Sequence, residues 1–154
     1  MATFYWDTSA LVKRYAQETG TVWVRNLTNP TLKHDIYTVR MTGVEMIAAL
    51  FRKANTGQIS RHDADLFAHD FRLDWQQQYQ IIEVTVNVSE LAMKLAEKQG
   101  LRGYDAVHLA AALVVQDMRQ TMNLPALTFV SAVQEQNQAA ANEGLFVENP
   151  NHYI

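Results

Sequence analysis

The sequence predicts an α/β protein with three layers, α/β/α, built on a mostly parallel sheet. Short apolar runs typical of buried strands alternate with longer segments whose apolar residues recur at helical spacing. Strands that alternate with helices usually pair in parallel, with helices covering both faces of the sheet. The length of 154 residues fits one domain, and the chain contains neither a linker nor an internal repeat. We therefore expect a single domain over residues 1–154.

The first half of the chain predicts two strands and four helices. Gly20, Asn29-Pro30 and Asn55-Thr56-Gly57 are the breaks that separate most of these elements. The strands are expected at TFYW (3–6) and HDIYT (34–38), and the helices at 8–18, 21–27, 44–55 and 60–78. Ser60 is the expected start of the last helix, whose apolar contacts would be Leu66, Phe67, Phe71 and Trp75.

The second half predicts three strands and three helices. The strands are QIIEVTV (80–86), ALTFVS (126–131) and LFVEN (145–149). The helices are SELAMKLAEKQ (89–99), YDAVHLAAALVVQDM (104–118) and QEQNQAAANEG (134–144). Ser89 is a candidate N-cap for the first of these helices, and Gly100 ends it. The second helix is apolar almost all round, which indicates burial on most sides.

The composition points to a cytoplasmic protein that does not enter a membrane. The chain lacks cysteine, so disulfides and thiolate metal sites are excluded, and no export signal opens it. Its longest apolar stretch, AVHLAAALVV, is about half of a bilayer span. The net charge of -3 argues against a broadly basic nucleic-acid surface. It does not argue against a local basic rim, which would have to come from the first 119 residues because they hold all 13 lysines and arginines.

Three acidic residues occupy positions where a solvated charge is not expected. Asp7 follows the first strand, and ligands of parallel sheets bind at the carboxyl ends of strands. Glu45 adjoins an apolar helix face and has no lysine or arginine three or four residues away. Asp105 opens the most apolar helix of the chain. Helix capping is the alternative for Asp7 and Asp105, and simple solvation is the alternative for Glu45.

The three acids together suggest a cation site. A strand end, a helix flank and a helix start can converge above one edge of the sheet. Three bare carboxylates within about 4–6 Å would raise one another's pKa and oppose folding. A divalent cation removes that conflict, and Mg²⁺ and Mn²⁺ prefer hard oxygen ligands.

Four segments of the sequence resemble successive blocks of a known family, and they cover nearly the whole chain. They are FYWDTSALVKRYAQETG, TGVEMIAALFRKANTGQIS, LRGYDAVHLAAAL and TFVSA…AANEGLFVENP. In this combination the chain resembles the PIN-domain proteins of the VapC toxin type. DTSALVK and GYDAVHLAAAL are specific when they occur together, and weak when they occur singly.

The resemblance implies a parallel five-stranded α/β/α fold and Mg²⁺- or Mn²⁺-dependent endonuclease activity on RNA. It also implies a homodimer that is inhibited by a small cognate antitoxin protein. Asp7, Glu45 and Asp105 match the metal-binding acids of the family, and Ser9 matches the small hydroxyl residue beside the first acid. We expect the homodimer to expose an apolar groove for a partner helix near residues 8–27, at Val12, Tyr15, Val22 and Trp23.

One position departs from the family pattern. Val133 stands where the family usually has a fourth acid, just after the fourth strand. Glu135 is the candidate to reach back as a substitute, with a solvated acid in the first helical turn as the alternative. The missing acid predicts a weaker second metal, a shifted metal preference, or a binding fold with little activity.

Basic residues near the three acids are candidates for RNA phosphate contacts. They are Lys13, Arg14, Arg40 and Arg102, and the alternative for each is a scattered solvated charge. His108 lies on one helix face with Asp105, and we interpret it as a packed core histidine.

We therefore predict a metal-dependent endoribonuclease that acts on single-stranded or looped RNA. The rival is a catalytically weak or inactive PIN-fold binding module that acts through its dimer or its antitoxin face. A phospho-acceptor receiver domain is disfavoured, because it needs a late lysine and none follows Lys98.

Overall fold

The computed structural model describes residues 1–154 and is organised around one sheet with the strand order β3-β2-β1-β4-β5. All four pairs of neighbouring strands are parallel. The strands are β1 (Thr3–Trp6), β2 (Asp35–Val39), β3 (Gln80–Ile82), β4 (Thr128–Val130) and β5 (Phe146–Glu148). The predicted α/β fold with a mostly parallel five-stranded sheet is confirmed.

Seven α-helices cover the sheet. They are α1 (Thr8–Leu11), α2 (Thr21–Thr28), α3 (Thr42–Asn55), α4 (Arg61–Gln77), α5 (Val86–Gln99), α6 (Gly103–Thr121) and α7 (Gln134–Asn142). Short 3₁₀ turns lie at Val12–Arg14, Pro30–Leu32 and Pro150–His152. None of the helices combines the length and the apolar character needed to cross a membrane.

The sheet separates two hydrophobic cores, and β1 contributes to both. Tyr5 packs with α5, α6 and α7 on one face of the sheet. Phe4 and Trp6 pack with α1, α2, α3 and α4 on the other face. This alternation follows from the two-residue period of a strand, which sends successive side chains to opposite faces. The three predicted layers are therefore present.

Two predicted element boundaries are wrong, and local hydrogen bonds explain both. The expected helix over 8–18 ends at Leu11 and continues only as a 3₁₀ turn. Beyond it, the backbone N–H of Glu18 donates to Thr21 Oγ1 rather than to a helical carbonyl. The expected strand over 80–86 ends at Ile82, because Thr85 caps the next helix by accepting from the N–H of Val88. That helix starts at Val86, so Ser89 lies inside it.

Two expected apolar contacts also differ from the structure. Leu66 on α4 is exposed, whereas Phe71 on the same helix is buried in the core. Of the residues expected to form an exposed groove, Val12 and Tyr15 are buried, and Trp23 stacks on Tyr153 with ring centroids 4.5 Å apart. Val22 is exposed, and the groove on the predicted homodimer stays a prediction.

The strand order creates a switch point between β1 and β4. The chain builds β1, β2 and β3 in one direction and then crosses to the other side of β1 to form β4. Asp7 follows β1 and Ser131 follows β4, and the N–H of Asp7 donates to the carbonyl of Val130 at 3.1 Å. Ligands of open parallel sheets bind at such a point, beyond the carboxyl ends of the strands.

Candidate functional site

Asp7 is a buried carboxylate at the switch point, and only 3% of it is exposed. Its Oδ1 atom accepts hydrogen bonds from Ser9 Oγ at 2.6 Å and from the N–H of Ala10 at 3.1 Å. Asp7 is therefore the N-cap of α1. Burial raises the pKa of Asp7, although the neighbouring His108 and the bonds from Ser9 and Ala10 act in the opposite direction. The capping interpretation is confirmed. The capping hydrogen bonds do not fully offset the cost of burying the ionised carboxylate.

Ser9 joins Asp7 to the loop that follows β4. Besides donating to Asp7, its Oγ atom accepts from the N–H of Ala132 at 3.0 Å. The hydroxyl of Ser131 lies 3.4 Å from that of Ser9 and accepts from the N–H of Val133 at 3.0 Å. The two serines thus fix the carboxyl ends of β1 and β4 relative to each other.

Glu45 lies in the first turn of α3, and two side chains hold its carboxylate. Its Oε1 atom accepts from Thr8 Oγ1 at 2.8 Å and from His108 Nε2 at 2.7 Å. Burial on its own would raise the pKa of Glu45, but the bonds from His108 and Thr8 outweigh it and lower that pKa. Glu45 is consequently an ionised acceptor, in contrast to a freely solvated glutamate.

The sequence interpretation predicted that His108 is buried, but it did not predict the hydrogen bonds of its ring. It is buried on α6, as expected for a core histidine. Its Nδ1 atom lies 2.8 Å from the hydroxyl of Tyr5, and its Nε2 atom bonds to Glu45. Because burial and the charges of Asp7 and Glu45 raise the pKa of Tyr5, the phenol keeps its proton and donates it to Nδ1. These partners assign the ring proton to Nε2, which donates to Glu45.

Asp105 is half-buried in the first turn of α6 and lines a cavity of about 530 Å³. Burial raises the pKa of Asp105, and the charges of Asp7 and Glu45 raise it further. Arg102 and His108 only partly oppose this effect. The three predicted acids are therefore close enough for their charges to act on one another.

Val133 and Glu135 line the same cavity as Asp105 and Glu45. Val133 is the N-cap residue of α7 and provides no side-chain hydrogen bond to the helix. Glu135 is exposed in the first turn of α7, as the solvated alternative predicted. The position of the expected fourth acid is therefore at the rim of the acidic cavity, on an uncapped helix start.

The predicted phosphate contacts fall in different places. Lys13 is buried and bonds to Glu18, and Arg14 bonds to Gln78 and Tyr79. Arg40 pairs with Glu83 outside the cavity. Of the four basic residues, only Arg102 lines the acidic cavity, where it is exposed and forms no ion pair.

A second cavity of about 680 Å³ adjoins the first, and Glu45 and Tyr104 line both. Its other walls are mostly apolar and come from α3, the residue before α3 and the start of α1. They are Thr8, Met41, Val44, Ala48, Ala49 and Arg52. The sequence interpretation did not single out Tyr104, although its place directly before Asp105 is the signal that identifies it.

No group of three or more histidine, aspartate or glutamate side chains is arranged closely enough to hold a metal ion in this conformation. Glu45 is engaged by Thr8 and His108, and Asp7 by Ser9 and Ala10. The acids lie near one another at one edge of the sheet, but they do not form a complete metal-coordination site.

Comparison with known families identifies this arrangement. The model of the PIN domain matches residues 4–129. The chain belongs to the PIN-domain family. Two relatives from Mycobacterium tuberculosis are Ribonuclease VapC45 (strain CDC 1551 / Oshkosh) and Ribonuclease VapC49 (strain ATCC 25618 / H37Rv). Each is 32% identical over 120 residues, which cover 76% of this chain and 79% of the relative.

Solved structures share the fold at low sequence identity. FitAcB from Neisseria gonorrhoeae is 13% identical with a TM-score of 0.63, and the match covers 97% of this chain and 99% of that chain. VapBC2 from Rickettsia felis, bound to a DNA fragment from their promoter, is 13% identical with a TM-score of 0.60. That match covers 96% of this chain and 98% of the other.

Proposed function

We propose that this PIN-domain protein is a metal-dependent endoribonuclease and the toxin of a toxin–antitoxin pair. The observation that carries the proposal is the gathering of Asp7, Glu45 and Asp105 at the switch point of the sheet. Its support from relatives is the 32% identity to two proteins named ribonuclease VapC, over 76% of the chain. A cytoplasmic location stays a prediction.

The donor chemistry of the site fits Mg²⁺ or Mn²⁺. Asp7 is buried, and the pKa of both Asp7 and Asp105 is raised, which is the condition of carboxylates that lack a positive partner. Asp7, Glu45 and Asp105 would hold the ion through oxygen atoms, after side-chain movements that draw them together. A bound divalent ion supplies charge neutralisation and Lewis acidity toward a phosphodiester.

The protein residues around the acids prepare the site in ways that do not depend on the ion. Ser9 and the N–H of Ala10 fix the orientation of Asp7, and Thr8 and His108 fix that of Glu45. Arg102 stands at the acidic cavity as the cation available to an RNA phosphate. We do not assign phosphate contacts to Lys13 and Arg14, because internal partners occupy them.

The proposed partners are RNA, a cognate antitoxin protein and a second copy of the chain. The similar structures of FitAB and VapBC2 are both described as bound to DNA fragments. We propose the homodimer from the family resemblance. Sedimentation of the isolated protein at micromolar concentration tests it, and a monomer throughout that range would contradict it.

Cleavage of a mixed RNA pool tests the proposed activity. The wild-type protein should cleave with Mn²⁺ or Mg²⁺, and should be inactive in EDTA. Asp7→Asn should be inactive in both, while retaining the thermal unfolding profile of a folded protein. Phe146→Ala, which changes an exposed aromatic residue on β5, is the matched control and should cleave normally.

The second candidate function is a PIN-fold binding module with little or no activity. The observation that favours it is Val133, an apolar residue at the rim of the acidic cavity where a fourth acid is expected. Binding of Mn²⁺ and of RNA without cleavage, at protein concentrations far above those needed for binding, would support this candidate over the nuclease.

A further inference from the structure

Tyr104 lines both cavities beside the acids and is free of internal partners. It is the second residue of α6 and is 67% exposed. Its hydroxyl forms no hydrogen bond, and its ring contacts neither another aromatic ring nor a cation. Large aromatic side chains are usually buried or paired, so a free ring between two cavities is unusual. Tyr104 thus presents an unoccupied π-face beside Asp105.

Each of the two cavities that Tyr104 lines also contains one unpaired arginine. Arg52 lines the larger, apolar cavity, and Arg102 lines the acidic cavity. Both are exposed, and neither forms a salt bridge. Grooves for single-stranded nucleic acids combine cations that follow the backbone with aromatic rings on which bases stack. Tyr104, which lines both cavities, and the arginine in each cavity supply the two components of such a groove.

We propose that Tyr104 is a base-stacking platform for single-stranded RNA. The nucleotide beside the scissile phosphate stacks on the Tyr104 ring, and its base enters the apolar cavity walled by Met41, Val44, Ala48 and Ala49. Arg52 and Arg102 contact the phosphates on the two sides. The cavity volumes of about 680 and 530 Å³ lie in the range of small-ligand clefts. This inference rests on the proposed function, because it assigns RNA to the same site.

The choice of RNA over a protein helix follows from the charges. A neutral or basic apolar helix would leave Arg52 and Arg102 without anionic partners at the two cavities. Two phosphates of a single strand satisfy both arginines while the intervening base covers the ring and the apolar wall. Double-stranded RNA does not offer its bases in this way, because its stacked bases are closed to an aromatic ring.

RNA binding in the absence of cleavage tests the platform. Short fluorescein-labelled single-stranded RNA is titrated with the protein in EDTA at one fixed low salt concentration, and anisotropy gives the affinity. Tyr104→Ala and Tyr104→Leu should each weaken binding by about tenfold, whereas Tyr104→Phe should bind like the wild type. Phe146→Ala is the matched control, because Phe146 is 68% exposed and lies outside both cavities.

An abasic RNA supplies the second arm of the experiment. Removing one base should weaken wild-type binding and should have little further effect on Tyr104→Ala, because both changes remove the same stacking contact. An affinity that is unchanged in Tyr104→Ala, or equal losses for Tyr104→Phe and Tyr104→Ala, would overturn the proposal. An unchanged RNA affinity combined with lost binding of a co-expressed antitoxin would assign the two cavities beside Tyr104 to the protein partner instead.

The same experiment separates this inference from the proposed function. Cleavage of RNA by the wild type with no dependence of binding on Tyr104 would leave the nuclease proposal standing and remove the platform. Binding of RNA that depends on Tyr104 in a protein that never cleaves would leave the platform standing and remove the nuclease. Absence of any RNA binding would overturn the platform.

Discussion

The Nε2 atom of His108 lies 2.7 Å from Oε1 of Glu45, and this contact joins helices that pack on opposite faces of the sheet. Glu45 belongs to α3 and His108 to α6. Tyr5, at the centre of β1 and fully buried, completes the chain through its hydroxyl, 2.8 Å from His108 Nδ1. The contact therefore fixes the position of an acid of the proposed site through one strand and two helices.

A double-mutant cycle should reveal this chain as an energetic unit. Tyr5→Phe leaves Nδ1 of His108 buried without a partner, and His108→Leu leaves the hydroxyl of Tyr5 in the same state. Each change should lower the free energy of unfolding by about 1–3 kcal/mol, whereas the double variant should lose less than the sum by about 1 kcal/mol. Urea unfolding in EDTA measures all four corners of the cycle.

The exposed His69 of α4 provides the control for this cycle. His69→Leu should change the free energy of unfolding by no more than about 0.5 kcal/mol. Strict additivity of Tyr5→Phe and His108→Leu would contradict the interpretation that the two side chains form one hydrogen-bonded unit.

Asp7 should separate capping from charge when it is replaced by Asn and by Ala. Asn keeps an oxygen that can accept from Ser9 and Ala10, and it removes a charge that burial disfavours. In EDTA, Asp7→Asn should be as stable as the wild type or more stable, whereas Asp7→Ala should lose about 0.5–2 kcal/mol with the cap. Both variants should lose Mn²⁺ binding in isothermal titration.

The sign of the Asn effect follows from the raised pKa of Asp7. A carboxyl group whose pKa is higher in the folded protein stabilises the fold in its protonated form, and this contribution disappears as the pH rises through the folded pKa. At neutral pH the ionised Asp7 therefore opposes folding when no cation is bound. A loss above about 2 kcal/mol for Asp7→Asn in EDTA would show that the ionised cap outweighs this penalty.

Glu18 should give the protein part of its sensitivity to acid. It accepts from Lys13 Nζ at 3.2 Å and lies 2.8 Å from Lys53 Nζ. Burial on its own would raise the pKa of Glu18, but its bonds to Lys53 and Lys13 lower it below the ordinary value of 4.5. The stabilisation is present above about pH 4.5 and is lost as the pH falls through the lowered pKa.

Thermal unfolding between pH 7 and pH 3 measures this effect. Glu18→Gln should be less stable than the wild type at pH 7, by no more than about 1 kcal/mol because solvent screens the half-exposed glutamate. The difference should shrink as the pH falls. The exposed Glu90, which forms no ion pair, is the matched control, and Glu90→Gln should follow the wild type throughout. A difference for Glu18→Gln that persists at pH 3 would contradict the prediction.

The sequence predicts the fold well because the fold depends on local periodicity. TFYW alternates its side chains between two cores as a two-residue period requires, and the apolar helix at 104–118 is found at Gly103–Thr121. The errors of the sequence prediction lie where one side-chain hydrogen bond decides the boundary of a helix or strand. Thr85 caps α5 four residues before the expected N-cap at Ser89, and periodicity contains no signal for that bond.

The candidate site is predicted less completely, for a different reason. Residues that stand out within their own segment, such as Asp7 and Glu45, were identifiable from sequence. The contact between Glu45 and His108 spans 63 positions, and only the packing of two helices against one sheet creates it. Lys13 shows the converse case, since its pairing with Glu18 and its burial remove a charge that appears available in the sequence.

Val133 offers a test of the missing fourth acid that also uses its place in the fold. As the N-cap of α7 it leaves the first N–H groups of the helix without a side-chain acceptor. Asn and Asp are both good N-caps, typically better than an apolar residue by about 1 kcal/mol. Val133→Asn therefore adds a cap alone, whereas Val133→Asp adds a cap and a carboxylate at the rim of the cavity that contains Asp105.

The two variants should diverge according to the cation. In EDTA, Val133→Asp should be less stable than Val133→Asn, because its charge adds to the repulsion that already raises the pKa of Asp105. With Mn²⁺ the order should reverse, since the added oxygen ligand should tighten Mn²⁺ binding by about tenfold, or 1.4 kcal/mol. Isothermal titration and thermal unfolding, each with and without Mn²⁺, measure both effects. If Val133→Asp and Val133→Asn bind Mn²⁺ equally, the side chain at this position does not face the ion, and the missing fourth acid is not what limits Mn²⁺ binding.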